Sequence, residues 1–201
     1  MRTRTNTRRG GLLLSLAFLL TLINMPTAAR PALSAAAPEP AVAQSGNVGV
    51  NGFFSVDPAQ QGSTFQAAVV LDIPRGLHVN ANKPLGKYAV PTKVTVEPPR
   101  GLRVTPVVYP RGKVMSFPFA PSEKIAVYEG LTPLRFNVTV PPNYELGVAR
   151  IRVVVNYQSC SDEVCFPPKK AELTLPIAIV NRDTPVNRIN ARYFGNARRR
   201  G

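Results

Sequence analysis

Tryptophan is absent from the sequence, histidine occurs once, at position 78, and cysteine occurs twice. A core must therefore be assembled from Phe, Tyr, Ile, Leu and Val, and a hydrophobic content of 44% supplies enough of them. One histidine and two cysteines fall short of the roughly four soft or imidazole ligands that close a structural metal site, so neither a metal nor another cofactor is expected. Helical periodicity is missing too, and 21 prolines work against helix interiors, each removing a backbone donor. Acids are scarce, 11 against 25 Lys and Arg, for a net charge of +14. The excess is terminal: residues 1–36 hold five arginines and no acid, and residues 182–201 hold six arginines and one aspartate. The stretch between them has 14 basic and 10 acidic residues. It lacks a basic stripe interleaved with aromatics, so nucleic acid is not an expected partner.

What is present begins with a processing signal. Arg2, Arg4, Arg8 and Arg9 precede an apolar run over residues 12–23, followed by the small-residue stretch PTAARPALSAAAPEPAVAQS. That is the n-, h- and c-region order of a secretory signal. The run is shorter than the ~20 residues that span a bilayer as a helix. Cleavage after Ala29, Ala36 or Ala43 fits the small-residue rule, and an uncleaved signal would give the chain its one membrane contact. No cysteine lies near these sites to carry a lipid anchor. The chain is expected to be periplasmic or otherwise exported, with residues 1–43 as signal and disordered linker, one domain over 44–181, and a basic, disordered tail over 182–201.

The domain alternates with period two. Phe65, Ala67, Val69, Leu71 and Ile73 share one face of a strand. Leu134, Phe136, Val138 and Val140 form a second row, Ile151, Val153, Val155 and Tyr157 a third, and Leu173, Leu175, Ile177 and Ile179 a fourth. Pro176 marks the fourth as an edge or a bulge. Weaker strands are expected over residues 49–56, 77–80, 92–97 and 102–109, and Pro/Gly/Asn turns separate them all. Seven to nine short strands with this punctuation predict an all-β, antiparallel β-sandwich of immunoglobulin type. Residues 110–122, PRGKVMSFPFAPS, read as a long apolar loop, either packed down or serving as a lid.

Cys160 and Cys165, with four residues between them, stand at the end of the third strand. Exported proteins keep disulfides, so a bridge that merely pins a hairpin in a non-catalytic binding or assembly domain is one reading. Closing so small a loop constrains the unfolded chain less than the ~15-residue loop worth about 3 kcal/mol. The other reading is a redox pair, in which closeness lets one thiol resolve the mixed disulfide formed by the other. Asp162 and Glu163 would raise the thiol pKa unless Lys169, Lys170 or Lys113 offsets them. Spacing alone leaves both readings open.

The flanking residues go further. Asn156-Tyr157-Gln158-Ser159-Cys160-Ser161-Asp162-Glu163-Val164-Cys165-Phe166-Pro167-Pro168 closely resembles the active-site hairpin of the N-terminal periplasmic domain of thiol:disulfide interchange proteins of the DsbD family. Gly76-Leu77-His78-Val79-Asn80-Ala81-Asn82-Lys83-Pro84 resembles that family's site-lining strand, and Lys124-Ile125-Ala126-Val127-Tyr128-Glu129-Gly130 the stretch after its cap loop. The resemblance spans roughly residues 50–180. It implies an immunoglobulin-like sandwich that passes electrons between a membrane-embedded thiol transporter or thioredoxin-like protein and oxidised envelope proteins. Cys165 would form the mixed disulfide and Cys160 resolve it, with His78, Asn80, Tyr157 and Phe166 lining the site. Residues 110–122 fall where the family has its cap, with Met115, Phe117 and Phe119 as the capping side chains. The cap here is longer, proline-rich and basic at Arg111 and Lys113. Family members continue into transmembrane helices and a thioredoxin-like domain, which this chain would have to meet in trans.

Overall fold

The computed structural model describes residues 46–194. The signal and linker expected over residues 1–43, and residues 195–201 of the tail, lie outside the described residues. In chain order the strands are β1 (Gly49–Phe54), β2 (Val56–Asp57), β3 (Ala59–Gln60), β4 (Thr64–Ile73), β5 (His78–Asn80), β6 (Lys93–Glu97) and β7 (Arg103–Val104). They continue with β8 (Lys113–Phe117), β9 (Ala120–Tyr128), β10 (Gly130–Thr139), β11 (Gly147–Tyr157), β12 (Ser159–Cys160), β13 (Lys169–Val180) and β14 (Asn187–Arg188). A single helical turn, Ala191–Phe194, follows.

Two four-stranded sheets, β1-β4-β10-β7 and β3-β13-β11-β6, supply the core of an antiparallel, immunoglobulin-like sandwich. Their inner rows are those of the sequence alternation. Ala67, Val69, Leu71, Leu134, Val138, Ile151, Val153 and Val155 are all fully buried in one apolar cluster. Each such side chain withdrawn from water contributes roughly 1.5–3 kcal/mol, so these rows dominate the stability. Pro176 lies opposite Arg150 in the β11–β13 ladder. On its other side β13 meets β3 only at Ile179 and Val180, so the proline sits on an open edge where its missing donor costs nothing.

Two Pro-Arg-Gly turns shape the connections. Leu77 N donates to Pro74 O (3.1 Å), with Gly76 at φ 79°, and Leu102 N donates to Pro99 O (3.2 Å), with Gly101 at φ 96°. Both glycines occupy a left-handed third turn position that suits glycine. The first turn launches β5, which belongs to a third sheet ordered β12-β5-β9-β8.

Two expectations need correcting. Residues 110–122 do not form a loop: β8 pairs with β9 as a hairpin, with a register shift between Met115 and Phe117. Pro118 and Phe119 form its tip, so the prolines that argued against a strand mostly fall where no ladder donor is required. Nor are residues 182–194 a solvated tail. Gln60 Nε2 donates to the carbonyls of Arg182 (2.8 Å) and Thr184 (2.7 Å), and β14 pairs with β2. Tyr193 stacks on Phe53 with ring centroids 4.3 Å apart. It covers Ala68 and Val70, which point to the outer face of β4 yet are as buried as the core. The physical reason is that β4 is apolar on both faces, so the outer one recruits a cover. Replacing Tyr193 with Ala is expected to cost about 2–4 kcal/mol in urea unfolding while leaving the rate of disulfide reduction at its wild-type value, because the strap is bound to the β1/β4 sheet.

Candidate functional site

The site grows out of the third sheet. In β5, Val79 enters the main core, while His78 and Asn80 turn to the other face and pass beneath the β8–β9 hairpin. β12 pairs with β5 in a register that sets Cys160 opposite His78 and Ser159 opposite Val79. Directly opposed residues of an antiparallel pair share a face, so Cys160 and His78 are side by side.

Cys160 and Cys165 are joined, with an S–S distance of 2.02 Å and Cα atoms 3.9 Å apart. The loop between them is tied internally. Ser161 N donates to Val164 O (2.8 Å), the amides of Glu163 and Val164 donate to Ser161 Oγ, and Phe166 N donates to Ser159 O (2.9 Å). Ser159 Oγ donates to Gly46 O, and the Phe166 ring lies so close to Gly46 that a Cβ there would clash with it. The two sulfurs are not equivalent. Cys160 is fully buried, whereas Cys165 is half-buried and borders a cavity of about 450 Å³. Tyr88, Phe119, Asn80 and Gln158 also line that cavity.

Against His78, the register partner of Cys160, lies a group of parallel rings. Phe117 sits on His78 with centroids 4.0 Å apart and planes 15° apart, and Phe119 lies parallel to both and to one side, 5.2 Å from Phe117 and 6.4 Å from His78. Phe117, Ile125 and Val127 form a buried cluster of their own, with Met115 and Phe119 against it. Burial pushes the His78 pKa below its ordinary 6.5, against the opposing pull of the Asp162 and Glu129 carboxylates. The imidazole is therefore neutral at pH 7. Its Nε2 has no hydrogen-bond partner among the described residues, and neither has Asn80 Oδ1. Two of the lysines weighed as offsets to the loop acids are engaged elsewhere: Lys113 pairs with Glu129 (3.0 Å) and Lys170 with Glu172 (2.5 Å). Lys169 donates to Asn47 Oδ1.

Of the residues expected at the site, Cys160, Cys165, His78, Asn80, Phe117 and Phe119 are brought together, and Met115 supports the hairpin that carries the rings. Tyr157 is placed in the main core, its hydroxyl bonded to the backbone of Val48, and Phe166 packs against that core. Gln158 is the residue the sequence reading missed. Its Oε1 accepts from Asn80 Nδ2 (2.9 Å) and Val90 N (3.2 Å), and its Nε2 donates to Phe166 O (3.1 Å). One amide thus ties β5, the loop before β6 and the cysteine hairpin together. Tyr88 and Leu85 were also missed; both stand largely exposed on the loop that forms one rim of the cavity, Tyr88 at 79% and Leu85 at 67%.

Chemically the arrangement suits attack on one sulfur. A thiolate approaching through the cavity reaches Cys165, and the bond breaks with its electron pair leaving on Cys160.

Comparison with known proteins bears on the same residues. The family model described as thiol:disulfide interchange protein DsbD, N-terminal, matches residues 50–177. Among solved structures the chain is similar to the DsbD N-terminal domain of Neisseria meningitidis, crystallised in the reduced form. Identity there is 17%, covering 69% of this chain and 88% of that one, with a TM-score of 0.37. It is also similar to the N-terminal periplasmic domain of ScsB from Proteus mirabilis, at 11% identity and a TM-score of 0.41. That match covers 64% of this chain and 45% of the other. No curated protein matches the chain.

Proposed function

The chain belongs to the family of the N-terminal domain of the thiol:disulfide interchange protein DsbD, and from that premise we propose that it is an exported exchange module whose working group is the Cys160–Cys165 pair. It passes electrons between a membrane-embedded thiol transporter or a thioredoxin-like protein and oxidised proteins of the cell envelope. The observation that carries this reading is the asymmetry of the bridge. A purely structural disulfide has no need of one sulfur fully buried beside a histidine and the other opening onto a cavity. Exchange needs both: an accessible sulfur to attack, and a sheltered partner that re-forms the bond without losing electrons to stray oxidants. Tyr88, Leu85 and Val164, the last 53% exposed, offer apolar surface on which a partner's cysteine-bearing segment can settle.

The bridge closes a loop worth only about 2 kcal/mol by the chain-entropy relation, less than the ~3 kcal/mol of a ~15-residue loop, while the closeness of the two sulfurs serves rapid resolution of a mixed disulfide. Equilibration of the full chain against glutathione buffers is the test. A working pair is expected between about −120 and −270 mV, whereas a potential below about −300 mV would mean a structural bridge in a binding domain.

A further inference from the structure

We propose that His78 handles the proton of Cys160: it takes the thiol proton as Cys160 resolves a mixed disulfide held on Cys165, and returns it when the bridge reopens. The proposal rests on the exchange function above and assigns one of its steps to this chain's single histidine.

Three observations converge on it. Cys160 and His78 are register partners across β12 and β5, which sets their Cβ atoms about 5 Å apart on one face. Both are shut away from solvent, Cys160 completely and His78 to 3% exposure, so bulk water is poorly placed to take the proton. His78 Nε2 is buried without a partner among the described residues, an unfavourable arrangement that is accounted for if another state of the protein uses the nitrogen. In the oxidised state Cys160 has neither a proton to give nor a charge to receive; in the mixed-disulfide state it has a proton to lose.

The groups facing the ring suit the task. From the cysteine loop comes Asp162, and from the turn between β9 and β10 comes Glu129, itself paired with Lys113 of β8. Besides Lys113, the hairpin presents the rings of Phe117 and Phe119. Burial keeps the imidazole in its basic form at pH 7, and the two carboxylates stabilise the imidazolium once it forms. The step balances. The Cys160 thiol gives its proton to His78, and its sulfur attacks Cys165 Sγ. The Cys160–Cys165 bond forms as the bond from Cys165 to the partner's sulfur breaks. The electron pair leaves on that sulfur, which takes a proton from His78 or from solvent. Two sulfurs of this chain are oxidised and the partner is reduced.

The test uses the reduced full chain and dithiobis-nitrobenzoate in a stopped-flow mixer. Cys165 attacks the reagent and releases a first coloured thiolate; Cys160 then displaces the second. In wild type the second phase is expected to be flat above the pKa of His78 and to fall as the pH drops through it. In His78→Phe, which keeps a ring under Phe117, the first phase should change by less than about twofold. The second should slow on the order of 10²-fold at pH 6 and rise with pH where wild type is flat. His78→Gln, polar but non-titrating, should do the same, and it decides the matter if the phenylalanine variant does not fold. Folded variants with the wild-type second phase and pH profile would overturn the proposal. A wild-type bridge inert to every dithiol and thioredoxin-like protein would instead overturn the exchange function itself.

Discussion

A Cys160→Ala chain exposed to oxidised envelope proteins is expected to accumulate covalent adducts through Cys165, while a Cys165→Ala chain forms almost none. The expected ratio of adduct yields is roughly tenfold or more, because reactivity follows thiolate access and a thiol buried in apolar surroundings is inert. Cys165 opens onto the cavity beside Phe119 and Tyr88, whereas Cys160 is fully buried on the strand paired with β5. The asymmetry is not a folding effect. Either substitution removes the same bridge, and a loop of this length contributes about 2 kcal/mol by the chain-entropy relation. That is small against the apolar rows of the sandwich, so both variants should remain folded. Electrophoresis without reductant, followed by identification of the attached proteins, reads the result. Equal adduct formation through the two cysteines would contradict the assignment of Cys165 as the attacked sulfur.

The parts of this molecule that were legible in the sequence are those set by neighbours along the chain. The four apolar rows, the Pro-Arg-Gly turns and the cysteine hairpin each need only a dozen contiguous residues to declare themselves. The β8–β9 hairpin hid behind Pro110, Pro118 and Pro121, since a proline-rich segment reads as loop until it is known that a proline sits at the tip. The strap of residues 182–194 hid behind its arginines. Its counterpart was nevertheless visible: Ala67-Ala68-Val69-Val70-Leu71 is apolar without alternation, and such a run requires cover on both faces. Tyr157 shows two kinds of inference in conflict. Resemblance put it at the site, while its place in the row Ile151, Val153, Val155, Tyr157 put it in the core, where the structure has it. Gln158 could not be read at all, because its value lies in partners 78 and 68 residues away.

Cutting the ring stack at its base should free the bridge. In a Phe117→Ala chain the disulfide is expected to be reduced by dithiothreitol roughly tenfold faster or more, thiolate access being what limits attack on a covered sulfur. Phe117 is 3% exposed and joins the hairpin to His78, whereas Phe119 borders the cavity beside Cys165 and is held there by stacking on Phe117. Removing the inner ring thus unseats the outer one, and the tip swings off the accessible sulfur. Truncating a buried Phe costs about 3–5 kcal/mol, but here the loss falls on a satellite cluster, so the hairpin should loosen before the sandwich does. The same change lets water reach His78, and its pKa should rise back toward 6.5. The sign of the pH effect follows. A histidine whose folded pKa is lowered binds fewer protons folded than unfolded, so its contribution to stability is intact above pH 6.5 and is lost as pH falls through the folded pKa. Urea unfolding at pH 7.5 and pH 5 should therefore show an acid-side loss in wild type that shrinks in Phe117→Ala. Phe117→Leu, which refills much of the volume, should fall between the two in reduction rate. If all three chains are reduced at one rate, the rings are packing and nothing more, and the hairpin does not guard the bridge.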